Sequence, residues 1–316
     1  MATLKELATT QAEKFVGGHT SCAGCGYPNI FRLTLAAIKD PVVVVGATGC
    51  CEVNTSIFPY TSWKAPFLHN AFENSAATCS GVEAAYYSMV KSGKLAANNT
   101  RFIAFGGDGG TYDIGLQSLS GALERGHDML YICYDNGAYM NTGIQRSGAT
   151  PRYANTTTAP VGKVVPGKMQ KKKDLAKIMV GHNVPYVAQT IAGNWKDLTN
   201  KVEKATAIRG PKFIVVLAAC PLGWQTKTQD TVRLTQLAVE SCFWPLYEVE
   251  NGKYKLNDNP EAKGKKIPVA DWLKMQGRFK HLFKPGGEKL LAEIQAEVDK
   301  DWNDLKALCE FHSKQE

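Results

Sequence analysis

The 316-residue sequence has no segment suited to crossing a membrane or to directing export. Its longest apolar run, residues 213–220, is far shorter than the roughly 20 residues that a membrane-spanning helix needs. The N-terminal residues Met-Ala-Thr-Leu-Lys-Glu lack the apolar core of a signal peptide. We therefore expect a cytoplasmic protein that does not bind a membrane.

Charged residues are also sparse, at 21% of the chain, and they form no long block of one sign. The formal net charge of +8 could attract an acidic partner. Because no compact DNA- or RNA-binding motif accompanies this charge, we expect no nucleic-acid partner. The densest basic run, Lys171-Lys172-Lys173, is predicted to be a solvated surface stretch.

The nine cysteines do not suggest a set of disulfides, because their number is odd and the expected compartment is reducing. They are then either buried apolar residues or metal ligands. Cys22 and Cys25 form a CxxC pair followed by Gly26, and Cys50 and Cys51 are adjacent. A CxxC pair alone is compatible with zinc, a redox disulfide, an iron–sulfur cluster or no function.

Short β-rich runs, each followed by glycines or polar residues, alternate with helical patterns. The β-rich runs are residues 41–45, 101–105, 129–134 and 212–219, and the helical patterns are residues 76–90, 116–123 and 198–205. This alternation predicts an α/β fold, a doubly wound parallel sheet covered on both faces. Ligands of such sheets bind at the carboxyl ends of the strands. The polar stretches that follow the runs are therefore expected to meet at one edge.

The pattern changes after about residue 230. Residues 234–239 predict a helix, and Asn251-Gly252 between two β-rich runs is typical of a tight hairpin. An apolar stripe then predicts a final helix, and it consists of Ile294, Val298, Trp302 and Leu305. We divide the chain into an α/β domain, residues 1–230, and a C-terminal extension, residues 231–316, that packs on the core or on a partner subunit.

A Gly-Asp-Gly stretch, residues 107–109, follows one predicted strand, and Asn136 follows the next one, 28 positions beyond Asp108. Glycines let backbone N–H groups approach phosphate oxygens, and a helix start attracts negative charge. Asp108 and Asn136 carry the oxygen ligands that Mg²⁺ prefers. The spacing resembles the thiamine-diphosphate motif.

This resemblance implies that Mg²⁺ and thiamine diphosphate bind at Gly107, Asp108, Gly109 and Asn136. It also implies that the backbone carbonyl of Ala138 is a third protein ligand of Mg²⁺. Asn141 would then point toward the reacting end of the cofactor as a catalytic residue.

Four cysteines could hold a [4Fe–4S] cluster near that cofactor, since such a cluster requires four thiolates. Cys22 and Cys25 supply two, and Cys50 and Cys220, each at a predicted strand end, supply the others. Cys51 could replace Cys50, but neighbouring side chains point in different directions, so one of them is excluded; by motif we choose Cys50. Cys25 and Cys50 are also expected beside the thiamine cofactor.

Two other interpretations of the cysteines are weaker. Zinc would accept four cysteines, but it has no electron-transfer role beside thiamine. A thioredoxin-like disulfide would need neither Cys50 nor Cys220. The remaining cysteines are predicted to be buried apolar residues, and they are Cys79, Cys133, Cys242 and Cys309.

Several motifs together resemble the β subunit of 2-oxoacid:ferredoxin oxidoreductases, most closely the pyruvate type with separate subunits. The motifs are residues 18–26, 47–50, 72–74, 107–109, 141–143, 149–151 and 219–221, with 244–248 and 276–279 in the tail. The resemblance covers nearly the whole chain. It implies a hetero-oligomer with α-, γ- and δ-type subunits, in which the α-type subunit supplies a glutamate to the aminopyrimidine ring and this chain is inactive alone.

The implied reaction is the oxidative decarboxylation of a small 2-oxo acid. Pyruvate and coenzyme A would give acetyl-CoA and CO₂, with electrons passing singly through the cluster to ferredoxin. An exposed cluster would imply an oxygen-sensitive enzyme of an anaerobic host.

Three alternatives stay open. Arg152 departs from the pyruvate-type pattern and could bind a second carboxylate, as in oxalate, and His69 could also face the active site. A non-redox thiamine decarboxylase or carboligase would need the Gly-Asp-Gly to Asn spacing but no cluster. A cluster-bearing scaffold could retain the thiamine site only as a vestige.

Overall fold

A computed structural model describes residues 3–9 and 13–314 of the chain. The strands are β1 (Val42–Ala47), β2 (Phe67–Asn70), β3 (Arg101–Gly107), β4 (Met129–Asp135), β5 (Tyr186–Ile191), β6 (Lys212–Leu217), β7 (Tyr247–Glu250) and β8 (Lys253–Leu256). The α-helices are α1 (Leu4–Thr9), α2 (Tyr27–Ala37), α3 (Cys50–Thr55), α4 (Ser75–Lys91), α5 (Leu116–Glu124), α6 (Leu175–Val180), α7 (Trp195–Ala207), α8 (Pro221–Trp224), α9 (Thr231–Glu240), α10 (Val269–Lys274) and α11 (Glu288–Ser313). A π-helix spans Gly110–Ile114, and 3₁₀ helices span Thr228–Asp230 and Gly277–Phe283.

The eight strands form one sheet in the order β2-β1-β3-β4-β6-β5-β7-β8. The first six are parallel to their neighbours, whereas β7 and β8 are antiparallel. Every residue of β4, β5 and β6 is buried, as expected for parallel strands that are covered by helices on both faces. The predicted doubly wound parallel sheet is therefore confirmed.

The predicted helices are confirmed at α4, α5, α7, α9 and α11. Their apolar faces pack against the two sides of the sheet and form one hydrophobic cluster on each side. Within residues 3–9 and 13–314, no helix combines the length and apolar character needed to span a membrane.

The C-terminal residues extend the same sheet. Strand β7 pairs with β5, and the β7–β8 hairpin turns at Asn251 and Gly252, whose φ angles are 48° and 80°. Positive φ at both central residues is the geometry of the predicted tight turn. Helix α11 packs on β8, and its Trp302 is fully buried. Residues beyond 230 thus pack on the core of this chain.

The expectation of a solvated basic run at residues 171–173 is wrong for Lys172. Its side chain is only 17% exposed, and its ammonium forms an ion pair with the buried Asp135. The same ammonium lies 4.6 Å from the ring centre of Tyr112 and 5.1 Å from that of Trp244. A buried carboxylate draws this lysine inward, because an unpaired charge in the core is unfavourable.

Four chemically important residues lie along one edge of the sheet. Strands β1, β3, β4 and β6 are consecutive and parallel, so their carboxyl ends are adjacent. Cys50, Asp108, Asn136 and Cys220 each follow the end of one of these strands by one to three positions. The fold therefore places Asp108 and Asn136 at the ends of the two central strands and cysteines after the two flanking ones.

Candidate functional site

A cavity opens at this edge of the sheet between the loops that follow β1, β3 and β4. Its lining includes most of the predicted cofactor and magnesium residues, namely Cys50, Gly107, Asp108, Gly109, Asn136, Ala138 and Asn141. The cavity brings these residues together although they are distant in the sequence. Cys22, Cys25 and Cys220 lie outside its lining.

Asp108 is the central acidic group of the cavity and is only 1% exposed. One carboxylate oxygen accepts a hydrogen bond from the backbone N–H of Asn136 at 3.2 Å, and the other accepts one from the Ser147 hydroxyl at 2.5 Å. Both bonds hold the carboxylate in one orientation. Asp108 makes no ion pair with a lysine or arginine in the described parts of the chain.

Three polar groups converge at Asp108. One terminal atom of the Asn136 amide lies 2.8 Å from Asp108 Oδ1 and 3.0 Å from the carbonyl oxygen of Ala138. A nitrogen at that position donates hydrogen bonds to both oxygens, whereas a bound cation would favour the amide oxygen there. Adjacent ligands of an octahedral Mg²⁺ at 2.0–2.1 Å would be about 2.9 Å apart. With the amide oxygen turned inward, the contacts of Asn136 with Asp108 and Ala138 therefore fit a magnesium site.

The electrostatics of Asp108 also favour a cation. Burial, followed by the nearby charge of Asp135, raises the pKa of Asp108 to about 8. Asp135 itself is already compensated, because it accepts hydrogen bonds from Tyr112 at 2.6 Å and from the backbone of Gly137 at 3.0 Å and pairs with Lys172. Asp108 is thus the buried carboxylate that needs a bound cation to ionise at neutral pH.

Close packing explains the glycines of the loop after β3. A Cβ atom on Gly109 would lie 2.3 Å from the ring of Tyr139, and one on Gly110 would lie 2.7 Å from the carbonyl oxygen of Phe72. The chain then continues into a π-helix, a form that is frequent at functional sites. The helix predicted at residues 116–123 is confirmed as α5, which begins at Leu116.

The four predicted cluster cysteines are neighbours. Burial raises the pKa of Cys25 and of Cys50 to about 12, and the charge of each thiolate would raise the pKa of others in the group. Cys220 is affected in the same way, and Cys22 acts on the other three. Cys22 is exposed, whereas Cys25, Cys50 and Cys220 are half-buried.

Local turns position the CxxC pair. The backbone N–H of Cys25 donates to the carbonyl of Cys22 at 3.0 Å, which closes a turn around Gly24. Gly24 has φ 75°, and a Cβ there would lie 2.2 Å from the carbonyl oxygen of Thr228. Only glycine fits this position, so the CxxC loop is held against the segment that follows α8.

The hydroxyl of Tyr27 joins the CxxC loop to the loop of Cys50. It lies 2.6 Å from the Ser21 hydroxyl, accepts from the Asn54 amide at 3.1 Å and donates to the Cys50 carbonyl at 3.1 Å. Tyr27 is itself buried. This bridge orients two of the three segments that carry the four cysteines relative to each other.

The adjacent cysteines have different surroundings. Cys50 lines the cavity and packs against the edge of a hydrophobic cluster, whereas Cys51 is fully buried within that cluster. Burial raises the pKa of Cys51 well above its ordinary value. Cys79, Cys133 and Cys242 are also buried, as predicted, but Cys309 is only half-buried and departs from that prediction.

In the described ranges, no three His, Cys, Asp or Glu side chains are close enough to share one metal ion.

Arg152 and His69, which the sequence suggested as possible substrate contacts, are not part of the cavity. Arg152 forms an ion pair with Glu297 of α11 at 3.0 Å. The His69 side chain is 61% exposed, with Nδ1 3.5 Å from a Glu52 oxygen. Neither residue lines the cavity that contains Asp108.

Sequence reasoning missed three residues that support the site. They are Ser147, which donates to Asp108, Trp224, whose indole N–H donates to the Asn136 carbonyl at 2.6 Å, and Arg278, whose guanidinium lies 4.2 Å from the Trp224 ring centre. Ser147 carries no spacing signal. Arg278 stands in the tail motif 276–279, but the motif alone did not indicate where it would pack.

Comparisons with known proteins agree with this architecture. Residues 47–216 match the family described as "Thiamine pyrophosphate enzyme, C-terminal TPP binding domain". The chain is 48% identical to pyruvate synthase subunit PorB of Thermotoga maritima, across 97% of this chain and 96% of the relative. It is 50% identical to pyruvate synthase subunit PorB of Methanocaldococcus jannaschii, across 85% and 90%.

Among solved structures, the fold is similar to that of the 2-oxoglutarate:ferredoxin oxidoreductase from Magnetococcus marinus. The TM-score is 0.52 with 19% sequence identity, and the match covers 70% of this chain and 79% of that one. At this identity the likeness concerns the fold.

Proposed function

The chain belongs to the family of PorB subunits of thiamine-diphosphate-dependent 2-oxoacid:ferredoxin oxidoreductases, and from this premise we propose that it binds the thiamine diphosphate, Mg²⁺ and one [4Fe–4S] cluster of a complex that oxidises pyruvate. The products are acetyl-CoA, CO₂ and reduced ferredoxin. The observation that carries the proposal is the convergence of the Asp108 carboxylate, the Asn136 amide and the Ala138 carbonyl in a cavity that Cys50 also lines.

The oxygen side of the cavity holds the diphosphate through Mg²⁺. Asp108, Asn136 and the carbonyl of Ala138 are the protein ligands of the ion, and the backbone of Gly107 and Gly109 approaches the phosphates. When bound, thiamine diphosphate supplies a carbon nucleophile and an electron sink for decarboxylation. The buried position of Asp108 excludes water from the metal and strengthens its attraction to the diphosphate.

Asn141 lies in the same cavity and is proposed to contact the reacting end of the cofactor. Its side-chain amide can donate a hydrogen bond to a developing negative charge and accept one from a proton donor. The amide does not titrate, so its role would be to orient groups and to stabilise charge rather than to transfer protons.

The sulfur side holds the cluster through Cys22, Cys25, Cys50 and Cys220. Iron binds thiolates, so the raised pKa of Cys25 and Cys50 must be overcome by the positive charge of the metal. The position of Cys50 in the cavity, against the burial of Cys51, supports Cys50 as the third ligand. A cluster held there would supply an acceptor for single electrons.

The complete reaction needs further subunits. An α-type subunit supplies the glutamate beside the aminopyrimidine ring, and γ- and δ-type subunits complete the complex and its path to ferredoxin. The isolated chain is therefore expected to be inactive with pyruvate.

The structure weakens the argument for oxalate. That argument depended on Arg152, and the Arg152 guanidinium pairs with Glu297 instead of facing the cavity. A non-redox decarboxylase has no use for four neighbouring cysteines, so the sulfur side favours electron transfer. A vestigial thiamine site would not retain three converging metal-ligand oxygens.

The test uses the assembled complex with ferredoxin and either pyruvate plus coenzyme A or oxalate. We expect ferredoxin reduction that requires both pyruvate and coenzyme A, together with iron and acid-labile sulfide in this subunit. Turnover of oxalate without coenzyme A would overturn the substrate assignment. Release of CO₂ without ferredoxin reduction, in a preparation lacking iron, would identify a non-redox enzyme.

A further inference from the structure

The C-terminal extension inserts an arginine beneath the candidate site. Arg278 lies on the 3₁₀ helix Gly277–Phe283 and is only 3% exposed. Its guanidinium lies 4.2 Å from the ring centre of Trp224, and its Nε donates to the side chain of Gln276 at 3.0 Å. The extension thus places a cation in the interior of the molecule.

Trp224 connects this cation to both ligand sets. Its indole N–H donates to the carbonyl of Asn136 at 2.6 Å, and its backbone N–H donates to the carbonyl of Cys220 at 2.8 Å. Arg278 also lies directly against the loop after β4, because a Cβ added to Gly137 would be 2.9 Å from Nη1. The guanidinium is therefore in contact with the segment between the proposed magnesium ligands and with the tryptophan next to Cys220.

The charge of Arg278 has no carboxylate partner of its own. No ion pair joins it to an Asp or Glu in residues 3–9 and 13–314. Burial lowers the pKa of Arg278 to about 9; Asp135 opposes this shift most, ahead of Cys220 and Asp108, but Asp135 is already paired with Lys172. A buried cation without a counter-charge is strongly unfavourable, so a negative group is required nearby.

The sulfur side is a second anionic group, since Asp108 is assigned to the proposed Mg²⁺. Trp224, against which the guanidinium stacks, donates its backbone N–H to the carbonyl of Cys220, so a single side chain separates Arg278 from the Cys220 segment. Four thiolates around iron would carry net negative charge, and this charge increases by one unit when the cluster accepts an electron. The unpaired cation and the unpaired anionic site therefore complement each other.

We propose that Arg278 is a positioning residue that acts as the buried counter-charge of the sulfur site and raises the reduction potential of the cluster held there. The inference rests on the proposed function, because it requires the cluster. A fixed positive charge stabilises the reduced cluster more than the oxidised one, since the reduced cluster is more negative. Trp224 holds the guanidinium in place by stacking against it.

The test is a redox titration of the assembled complex, followed by electron paramagnetic resonance with dithionite as reductant. Arg278→Met removes the charge and keeps an apolar chain of similar length, a replacement that proteins often tolerate. Arg278→Lys keeps the charge. The matched control is Arg209→Met, since Arg209 is an exposed arginine at the opposite end of the sheet, paired with Asp128.

We expect Arg278→Met to retain full iron and sulfide but to lower the midpoint potential by about 59 mV or more, which corresponds to a tenfold change in a one-electron equilibrium. Arg278→Lys should recover most of the shift, and Arg209→Met should show none. An unchanged potential in an iron-replete Arg278→Met complex would overturn the proposal. A Lys variant shifted as far as the Met variant would overturn it too, because shape rather than charge would then matter.

Failure to assemble is also informative. If Arg278→Met does not assemble, Arg278→Gln is titrated in its place with the same expectation. If both neutral variants fail to assemble while Arg278→Lys assembles with the wild-type potential, the requirement for a positive charge is supported. If Arg278→Lys also fails to assemble, the role of Arg278 is structural and the proposal is wrong. A wild-type complex with no dithionite-dependent cluster signal would instead refute the cluster itself, and with it the proposed function.

Discussion

The oxygen side and the sulfur side of the site are built differently. Asp108 and Asn136 follow the adjacent strands β3 and β4, and both are buried, at 1% and 8% exposure. Six residue pairs fix the register of these two strands, ending at Gly107 opposite Tyr134. The proposed oxygen ligands are therefore placed by the sheet itself, and the Asn136 amide contacts both Asp108 and the Ala138 carbonyl.

The sulfur ligands come from more distant parts of the fold. Cys22 and Cys25 lie in a loop before α2, Cys50 follows β1, and Cys220 follows β6. Turns, the Tyr27 bridge and the α8 segment orient these loops, and one of the four side chains is exposed. Sites assembled from loops gain more order from metal binding than sites fixed by a sheet. We therefore expect mutations on one side of the site to affect binding of that side's proposed cofactor and to leave binding of the other unchanged.

The sharpest test of the oxygen side removes its carboxylate. Asp108→Ala deletes a ligand of the proposed Mg²⁺, so thiamine diphosphate should no longer bind and pyruvate oxidation should fall by more than the roughly 100-fold typical of losing an outer-shell group. Thiamine content and ferredoxin reduction measure the effect. Asp113→Ala serves as the control, because it removes a partly exposed carboxylate of the same segment that pairs with Lys173. Full activity of Asp108→Ala would show that the thiamine site is vestigial.

The corresponding test of the sulfur side is Cys220→Ser. We expect loss of iron and of ferredoxin reduction while thiamine diphosphate still binds, because Asp108 and Asn136 are held by the sheet. Cys51→Ala is the matched control, since it alters a buried cysteine that faces the core and should keep its iron. Loss of thiamine in the Cys220 variant would break the comparison, because it would show that the two sides form as one unit.

A smaller effect is expected from Ser147→Ala. The hydroxyl donates to Asp108 at 2.5 Å, and removing such a group from a metal ligand typically weakens metal binding 10- to 100-fold. The concentration of Mg²⁺ that half-saturates activity should increase by about that factor, with the cluster content unchanged. Ser92→Ala, at an exposed helix end, provides the control. An equal increase in both variants would exclude a specific role of Ser147.

The free energy of unfolding should depend on pH through Asp108, on the oxygen side of the site. Asp108 has its pKa raised to about 8 by burial, so the unfolded chain releases this proton near pH 4 while the folded chain keeps it. Its contribution to the stability of the chain without metal is complete below about pH 4 and is lost as the pH rises toward 8. Addition of Mg²⁺ and thiamine diphosphate should reverse the loss. Urea unfolding at pH 5 and pH 8 measures this, and Asp108→Asn should remove the dependence.

The sequence predicted the residues that stand in local patterns. Asp108, Asn136, Cys50 and Cys220 follow short β-rich runs, and Cys22 and Cys25 form a CxxC pair. The rule that ligands gather at strand ends needs only such local patterns. Lys172 and Arg152 were misjudged because their partners, Asp135 and Glu297, are remote in the chain and only packing brings them together. Arg278 was missed for the same reason, since its neighbours Trp224 and Gly137 come from other elements.

The smallest expected effect concerns a residue near the site that belongs to neither ligand set. Arg152 pairs with Glu297 across the gap to α11, with both side chains partly exposed. Arg152→Ala should lower the free energy of unfolding by about 0.5–1 kcal/mol, as for other partly exposed ion pairs. The kcat/KM for pyruvate should stay unchanged, because the guanidinium points away from the cavity. Urea unfolding and steady-state kinetics check both values, with Glu297→Ala as the matched variant. If Arg152→Ala instead abolished turnover while Glu297→Ala did not, Arg152 would contact the substrate, and a dicarboxylate such as oxalate would again be the better assignment.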